Sequence, residues 1–282
     1  MSDTRPIGVF DSGLGGLTVV RELFRLMPGE RIVYLGDTAR CPYGGRSEET
    51  IRTFGMQDAR LLMGMDIKLL IVACNTVSSV ALDHIERCIK EIPVVGVVLP
   101  GARAAAQRTA ERKVGVIGTA ATVRAGAYMR AIQAIDPSIK VYGKACPLFV
   151  PLVEEGLLDH DITRLAIQLY LTELLDLRAD CIILGCTHYP LLIQTIQEFV
   201  GTGTHLVDSA LWTAKEVQDI LKALGGLSQE KTGGLAASRF MVTDYAPKFK
   251  ELAASFLGTD LPLIELVELE KLTKLCATAV VA

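Results

Sequence analysis

The chain has 282 residues, 50% hydrophobic and 22% charged, with a formal net charge of −3, enough apolar content for a packed core in roughly one to three domains. No Lys/Arg cluster stands out, which argues against nucleic acid as the main partner, because such binding leans on a basic footprint. No apolar run approaches the ~18–20 residues of a membrane span, and "MSDTRPIGVFDSG" shows no basic segment leading into an apolar one, so no membrane association and no secretory leader are expected and the chain reads as cytoplasmic.

Short apolar runs alternate with longer amphipathic segments along the chain. "PIGVFDSG" reads as a strand entering a turn and "LTVVRELFRLM" as the helix after it. "RIVYLGDT" is a second strand, closed by the loop "ARCPYGGRS". Ser47 marks the start of a helix over "SEETIRTFGMQDARLLMGM", although Thr50 stands where a strict capping box wants an acid. "IKLLIVACN" and "IPVVGVV" are the next strands. Strand–helix alternation of this kind predicts a parallel, doubly wound sheet.

The pattern then restarts: "KVGVIGTAATV" resembles "PIGVFDSGLGG", and "IILGCTHYP" resembles "IVACNTVSS". Gly8 aligns with Gly115, an offset of 115 − 8 = 107, and Cys74 with Cys186, an offset of 186 − 74 = 112. Two related α/β halves follow, predicted as pseudosymmetric doubly wound domains facing each other across a cleft. Between the repeated segments lie the helix "AYMRAIQAI", the strand "KVYGKACPL" and the helix "ITRLAIQLYLTELLDLR". The tail after Asp208 holds "SALWTAKEVQDILKAL", a Gly/Ser-rich loop, the strand "RFMVTD", the helix "YAPKFKELAASFLG" and a terminal strand and helix with a frayed end. It is too short for a domain of its own, so residues 1–98 with 211–282 are expected to form the first domain and residues 99–210 the second.

In open parallel sheets, ligands bind beyond the carboxyl ends of the strands, and the notable polar residues sit there. Asp11 and Ser12 follow "IGVF"; Cys74, Asn75 and Thr76 follow "LIVA"; Thr119 and Thr122 follow "VGVIG"; Cys186, Thr187 and His188 follow "IILG". The seven cysteines include no CxxC pair, so they are read as free thiols without a zinc ribbon. Taken singly, each would default to a buried, inert thiol. Cys41, Cys88, Cys146, Cys181 and Cys276 keep that reading, with a reservation for Cys41 because it abuts "PYGG". Cys74 and Cys186 do not, because they occupy matching positions. Two thiols on opposite walls suit a reaction that takes a proton from one face of a carbon and returns one to the other. Each needs a helper for proton handling: Asp11 on the first side, His188 on the second, with Glu154 of "LVEEG" in support. The glycines of "DSGLGG" are read as supplying backbone freedom for a tight turn, and Glu154 could alternatively open a helix after Pro151. His84, His160 and His205 are expected at the surface.

"FDSGLGGLTV", "DTARCPYGGRS", "ACNTVSS" and "GCTHYPLL" resemble, in order, the signature blocks of the glutamate racemases of the cofactor-independent aspartate/glutamate racemase superfamily. The resemblance implies two pseudosymmetric α/β domains with substrate between them, and Cys74 and Cys186 as the proton-transfer residues. It implies substrate contacts at Asp11, Ser12, Pro42, Tyr43, Gly44, Asn75, Thr76, Thr119, Thr122, Thr187 and His188. It further implies interconversion of L- and D-glutamate for peptidoglycan synthesis, no cofactor or metal, and a homodimer. The short stretch before Ile7 leaves little room for a regulatory extension, so activation by a cell-wall precursor is not expected. Three rivals stand beside this reading: a racemase of aspartate or another amino acid, a hydrolase with zinc on Cys74, Cys186 and His188, and a non-catalytic amino-acid-binding module.

Overall fold

The computed structural model describes residues 3–228, 233–245 and 249–277. The chain begins β1 (Ile7–Asp11), α1 (Leu17–Leu26), β2 (Ile32–Gly36), α2 (Glu48–Met63), β3 (Leu69–Val72), α3 (Asn75–Val80), α4 (Leu82–Cys88) and β4 (Val94–Gly96). It continues α5 (Val98–Arg108), β5 (Lys113–Gly118), α6 (Ala120–Ala125), α7 (Ala127–Ile135), β6 (Lys140–Ala145), α8 (Phe149–Glu154), α9 (Asp161–Asp176), β7 (Cys181–Gly185), α10 (Ile193–Val200) and β8 (His205–Asp208). It closes with α11 (Ser209–Ala223), β9 (Arg239–Val242), α12 (Phe249–Leu257), β10 (Ile264–Leu266) and α13 (Leu269–Ala277).

Two all-parallel sheets result. The first has the order β10-β9-β2-β1-β3-β4, the second β6-β5-β7-β8. The segment β2-β1-β3-β4 matches β6-β5-β7-β8 strand for strand, which is the repeat seen in the sequence. Strands β1, β2, β3 and β7 are buried along their whole length, as a parallel sheet covered by helices on both faces requires. Alternate residues serve opposite faces: Ile7, Val9, Leu69 and Ile71 pack with α1 residues Leu17, Val20 and Leu23, whereas Phe10, Leu70 and Val72 pack with Ile51 and Leu62 of α2. The cluster holding Val9 and Ile71 also holds Ile182 and Leu184 of β7, so the two sheets share one apolar core on that side.

Strands β9 and β10 join the first sheet, β9 pairing with β2. Helix α11 begins at residue 209 and packs against both α1 and α5, so it bridges the two sheets. Ser47 caps α2, its side chain accepting a hydrogen bond from the Thr50 amide at 3.3 Å. The alternative start of a helix after Pro151 is not seen: Pro151 lies within α8 and Glu154 ends it. The Gly/Ser-rich loop, the start of the helix expected from Tyr245 and the frayed end fall partly on 229–232, 246–248 and 278–282, outside the described residues, as does the Cys276 side chain.

Candidate active site

The chain leaves each central strand at the same end of its sheet, and those exits meet. Ser12, Cys74, Asn75 and Thr76 from the first half line one small cavity of about 30 Å³ with Thr119, Cys186, Thr187 and His188 from the second. Cys41, Pro42, Tyr43, Gly44 and Val150 complete the wall. Both cysteines therefore face one space. Neither sulfur reaches it through an exposed surface, since Cys74 is 4% and Cys186 6% exposed.

Hydroxyl contacts stitch the halves together above the sheets. Thr76 Oγ1 lies 3.0 Å from Thr119 Oγ1 and 3.4 Å from Thr122 Oγ1, and Thr119 and Thr122 are 3.0 Å apart. The Thr119 side chain also accepts from the Thr122 amide at 3.2 Å, capping α6. Tyr128 of α7 donates to Asn75 Oδ1 at 2.6 Å, while the buried Asn75 Nδ2 has no hydrogen-bond partner among the described residues. Thr122, Asp11 and Glu154 do not line the small cavity. Asp11 lies behind Ser12, fully buried, with Oδ2 accepting from the Gly13 amide at 3.0 Å and Oδ1 without a partner among the described residues.

The two thiols have different surroundings. Cys74 Sγ is 3.5 Å from Ser12 Oγ; burial, and then the negative charge of Asp11, push its pKa up to about 12. Cys74 is thus held as the thiol. Cys186 Sγ lies 4.0 Å from His188 Nδ1, and His188 Nε2 lies 3.2 Å from Glu154 Oε1. Burial disfavours the imidazolium, but Cys186, Glu154 and the Asp11 charge outweigh it and carry His188 up to about 10. A cation therefore stands beside Cys186 and a buried carboxyl beside Cys74. Burial also raises the Asp11 pKa, against the opposing effect of His188 and the backbone amides.

The glycine-rich turn is explained by space rather than by backbone angle: none of Gly13, Gly15 and Gly16 has a positive φ. A Cβ on Gly16 would come within 2.6 Å of the Asp11 Cβ, and one on Gly15 within 2.2 Å of Thr187 Oγ1. The turn is where the first half touches the second. Alongside the small cavity lies a chamber of about 600 Å³ that shares Cys41, Pro42, Gly44, Thr119 and Val150 with it and adds Glu154, Pro147, Asp244 and Phe249.

Among the described residues, no group of three or more His, Cys, Asp or Glu side chains is placed to hold a metal ion, the rival zinc set of Cys74, Cys186 and His188 included. No helix is long and apolar enough to cross a membrane among the described residues. His160 and His205 are exposed and His84 half-buried, while Cys88 is exposed and Cys146 and Cys181 are buried.

Residues 7–217 match the family described as Asp/Glu/Hydantoin racemase. The chain belongs to that family. A glutamate racemase of Chlorobaculum tepidum is 47% identical over 267 residues, covering 95% of this chain and 97% of its own. The structure of glutamate racemase from Francisella tularensis in complex with D-glutamate superposes with a TM-score of 0.89 at 39% identity, covering 95% of this chain and 99% of that one. Escherichia coli glutamate racemase, solved with L-glutamate and the activator UDP-MurNAc-Ala, gives 0.75 at 28% identity over 94% of this chain and 98% of that one. The family's two parallel-sheet α/β fold is the fold found here. Sequence reasoning passed over Tyr128, Val150 and the acidic residues behind the "PYGG" loop; of these only Tyr128 carried a signal, an aromatic residue two positions after a glycine break between two helices.

Proposed function

We propose that the protein is a glutamate racemase that interconverts L- and D-glutamate by two-base proton transfer at Cα, with Cys74 and Cys186 as the proton carriers. The observation that carries this reading is that both thiols face one cavity from opposite halves, each with its own charged neighbour. One thiol takes the Cα proton as thiolate while the other, still protonated, delivers to the opposite face; the reverse reaction exchanges their roles. His188 and Asp11 hold or release the proton beside each sulfur, and Glu154 orients the His188 ring and sustains its charge.

Substrate is held by the residues around the cavity. Asn75 Nδ2, without a partner among the described residues, and the hydroxyls of Ser12, Thr76, Thr119 and Thr187 are donors for carboxylates, with the backbone N–H groups of Tyr43 and Gly44 beside them and the Pro42 ring as an apolar wall. Asp11, with Thr122 behind Thr119, supplies charge and support. The carbanion formed at Cα has no conjugated group to spread its charge, so a water-free pocket of fixed dipoles is the main stabiliser. A cavity of about 30 Å³ has room for roughly two waters, far less than glutamate needs. The chamber of about 600 Å³ alongside it shares five of its lining residues; in this reading substrate enters from that side and the halves, assigned as residues 1–98 with 211–282 and residues 99–210, close over it.

In this reading the enzyme works in the cytoplasm as a homodimer without cofactor and supplies D-glutamate for peptidoglycan. Light scattering checks the dimer, and a growth requirement for D-glutamate on loss of the gene checks the role. The deciding test is chiral analysis of purified, dialysed protein incubated with either enantiomer of glutamate or of aspartate. Inversion of glutamate supports the proposal; turnover of aspartate alone moves the substrate assignment.

A further inference from the structure

Behind the "PYGG" loop lies a cluster of charge that the reaction does not use. Asp37, Asp58 and the Tyr43 ring are buried, at 0%, 0% and 1% exposure. Arg40 donates to Asp37 through Nε, to Asp58 Oδ1 through Nη2 at 3.1 Å, and to Gln57 through Nη1, with its guanidinium 4.0 Å above the Phe54 ring. Thr243 of the C-terminal segment donates to Asp37 Oδ1 at 2.9 Å and accepts from the Ala39 amide at 2.9 Å. Tyr43 makes a close hydroxyl contact with Asp37 Oδ2, and its oxygen lies 3.2 Å from Asp58 Oδ2.

The proton count decides what this cluster is. A phenol has one proton to donate, and the closer contact gives it to Asp37. Asp37 thus accepts from Arg40, Tyr43 and Thr243, the pattern of a carboxylate. With the phenol proton given to Asp37, the 3.2 Å contact between Tyr43 and Asp58 Oδ2 is a hydrogen bond only where Asp58 itself carries a proton. With that proton the buried charges cancel, Arg40 against Asp37. Without it a second buried carboxylate would share one guanidinium, at a cost that burial makes severe. The groups facing Asp58 are Asp37, Arg40, Tyr43 and Gln57, with Asp11 farther off; burial first and the Asp37 charge second push its pKa well up.

We propose that Asp58 is a neutral carboxylic acid and that the relay Asp58, Tyr43, Asp37 and Arg40 positions residues 41–45 as a wall of the substrate site. The loop's other face carries the consequence. Gly44 accepts from the Ala121 amide at 3.2 Å and sits where a Cβ would come within 2.7 Å of Thr119, so the buried relay sets how the first half meets the second. Asp37, Arg40 and Asp58 are positioning residues; they do not line the cavity.

This inference rests on the racemase reading, and its test separates the two. Asp58→Asn presents an amide that accepts from Arg40 and donates to Tyr43, as the neutral acid does. Asp37→Asn turns a donor toward donors. With glutamate as substrate, Asp58→Asn is expected to keep KM and kcat within about threefold, whereas Asp37→Asn raises KM about tenfold or more. Equal losses in both variants, or a loss only in Asp58→Asn, overturn the proposal. A general structural role for two charged acids would not produce this split. Infrared difference spectra of the wild-type protein against Asp58→Asn provide a second readout that needs no activity. A protonated-carboxyl stretch lost in the variant at neutral pH is expected, and its absence from the wild type refutes the neutral acid even if Asp37→Asn does not fold. If the wild-type protein fails to racemise glutamate, the functional proposal falls while the infrared result still decides the state of Asp58.

Discussion

Replacing Gly15 by Ala tests whether the contact between the halves sets catalysis. A Cβ there would lie 2.2 Å from Thr187 Oγ1, 2.8 Å from Thr187 Cβ and 2.7 Å from His188 Nδ1. Ordinary contact begins near 3.4 Å, so Thr187 must retreat by 3.4 − 2.2 = 1.2 Å. Gly15 has no positive φ, so alanine costs the backbone nothing and the whole strain falls on Thr187 and His188. Overpacking of this sort costs roughly 1–3 kcal/mol, which leaves a domain folded. Displacing catalytic groups by about 1 Å costs on the order of 100-fold in rate. The expected outcome is therefore a loss of kcat/KM of about 100-fold with only a small change in melting temperature. A Cβ on Gly203 meets nothing within 4 Å among the described residues, so Gly203→Ala is the matched control and should behave as wild type. If Gly15→Ala keeps kcat/KM within threefold, the close approach of the halves does not set the geometry of the site and the reasoning fails.

Further outcomes can be checked on the same protein. Glu154→Gln removes one support of the His188 charge; that imidazolium is present below about pH 10 and lost above it, so the alkaline limb of a pH–rate profile should move to lower pH, by roughly one unit. An unchanged limb would mean that Glu154 does not act through His188. Tyr128→Phe deletes the 2.6 Å hydrogen bond that orients Asn75 and should raise KM for both enantiomers about fivefold or more with little change in kcat; a fall in kcat alone would contradict the positioning role. Cys74→Ala and Cys186→Ala should each reduce racemisation by at least about 100-fold, measured by polarimetry.

Much of this arrangement was legible because the chain writes its parallel strands as uninterrupted apolar runs, and because the repeat offset predicted two related sheets. β8 was not read, since "HLVD" is short and half polar, yet the match of β6-β5-β7-β8 to β2-β1-β3-β4 requires it as the counterpart of β4. Of the polar residues read at strand ends, Ser12, Cys74, Asn75, Thr76, Thr119, Cys186, Thr187 and His188 line the small cavity whereas Asp11 and Thr122 do not, and Pro42, Tyr43 and Gly44 were named through the family resemblance. What the sequence hides is distance across the fold. Tyr128 meets Asn75 53 residues away, on a helix whose pattern looks ordinary. Asp58 sits in "MQDAR", where nothing in the sequence marks it as buried, and only the packing of Gln57 and Asp58 against Arg40 reveals a buried carboxyl. The glycines of "DSGLGG" could be read as turn formers, whereas the structure shows them making room for Asp11 and Thr187.

The central claim is that two thiols, one per face, carry the proton. Conversion of L-glutamate in deuterium oxide, followed at early conversion by mass spectrometry of the separated enantiomers, tests it most directly. Two-base transfer predicts that the D-glutamate formed carries a solvent deuterium at Cα while the remaining L-glutamate keeps its protium. A single shared base would instead carry substrate protium into the product and wash deuterium into both pools; that result would contradict the account.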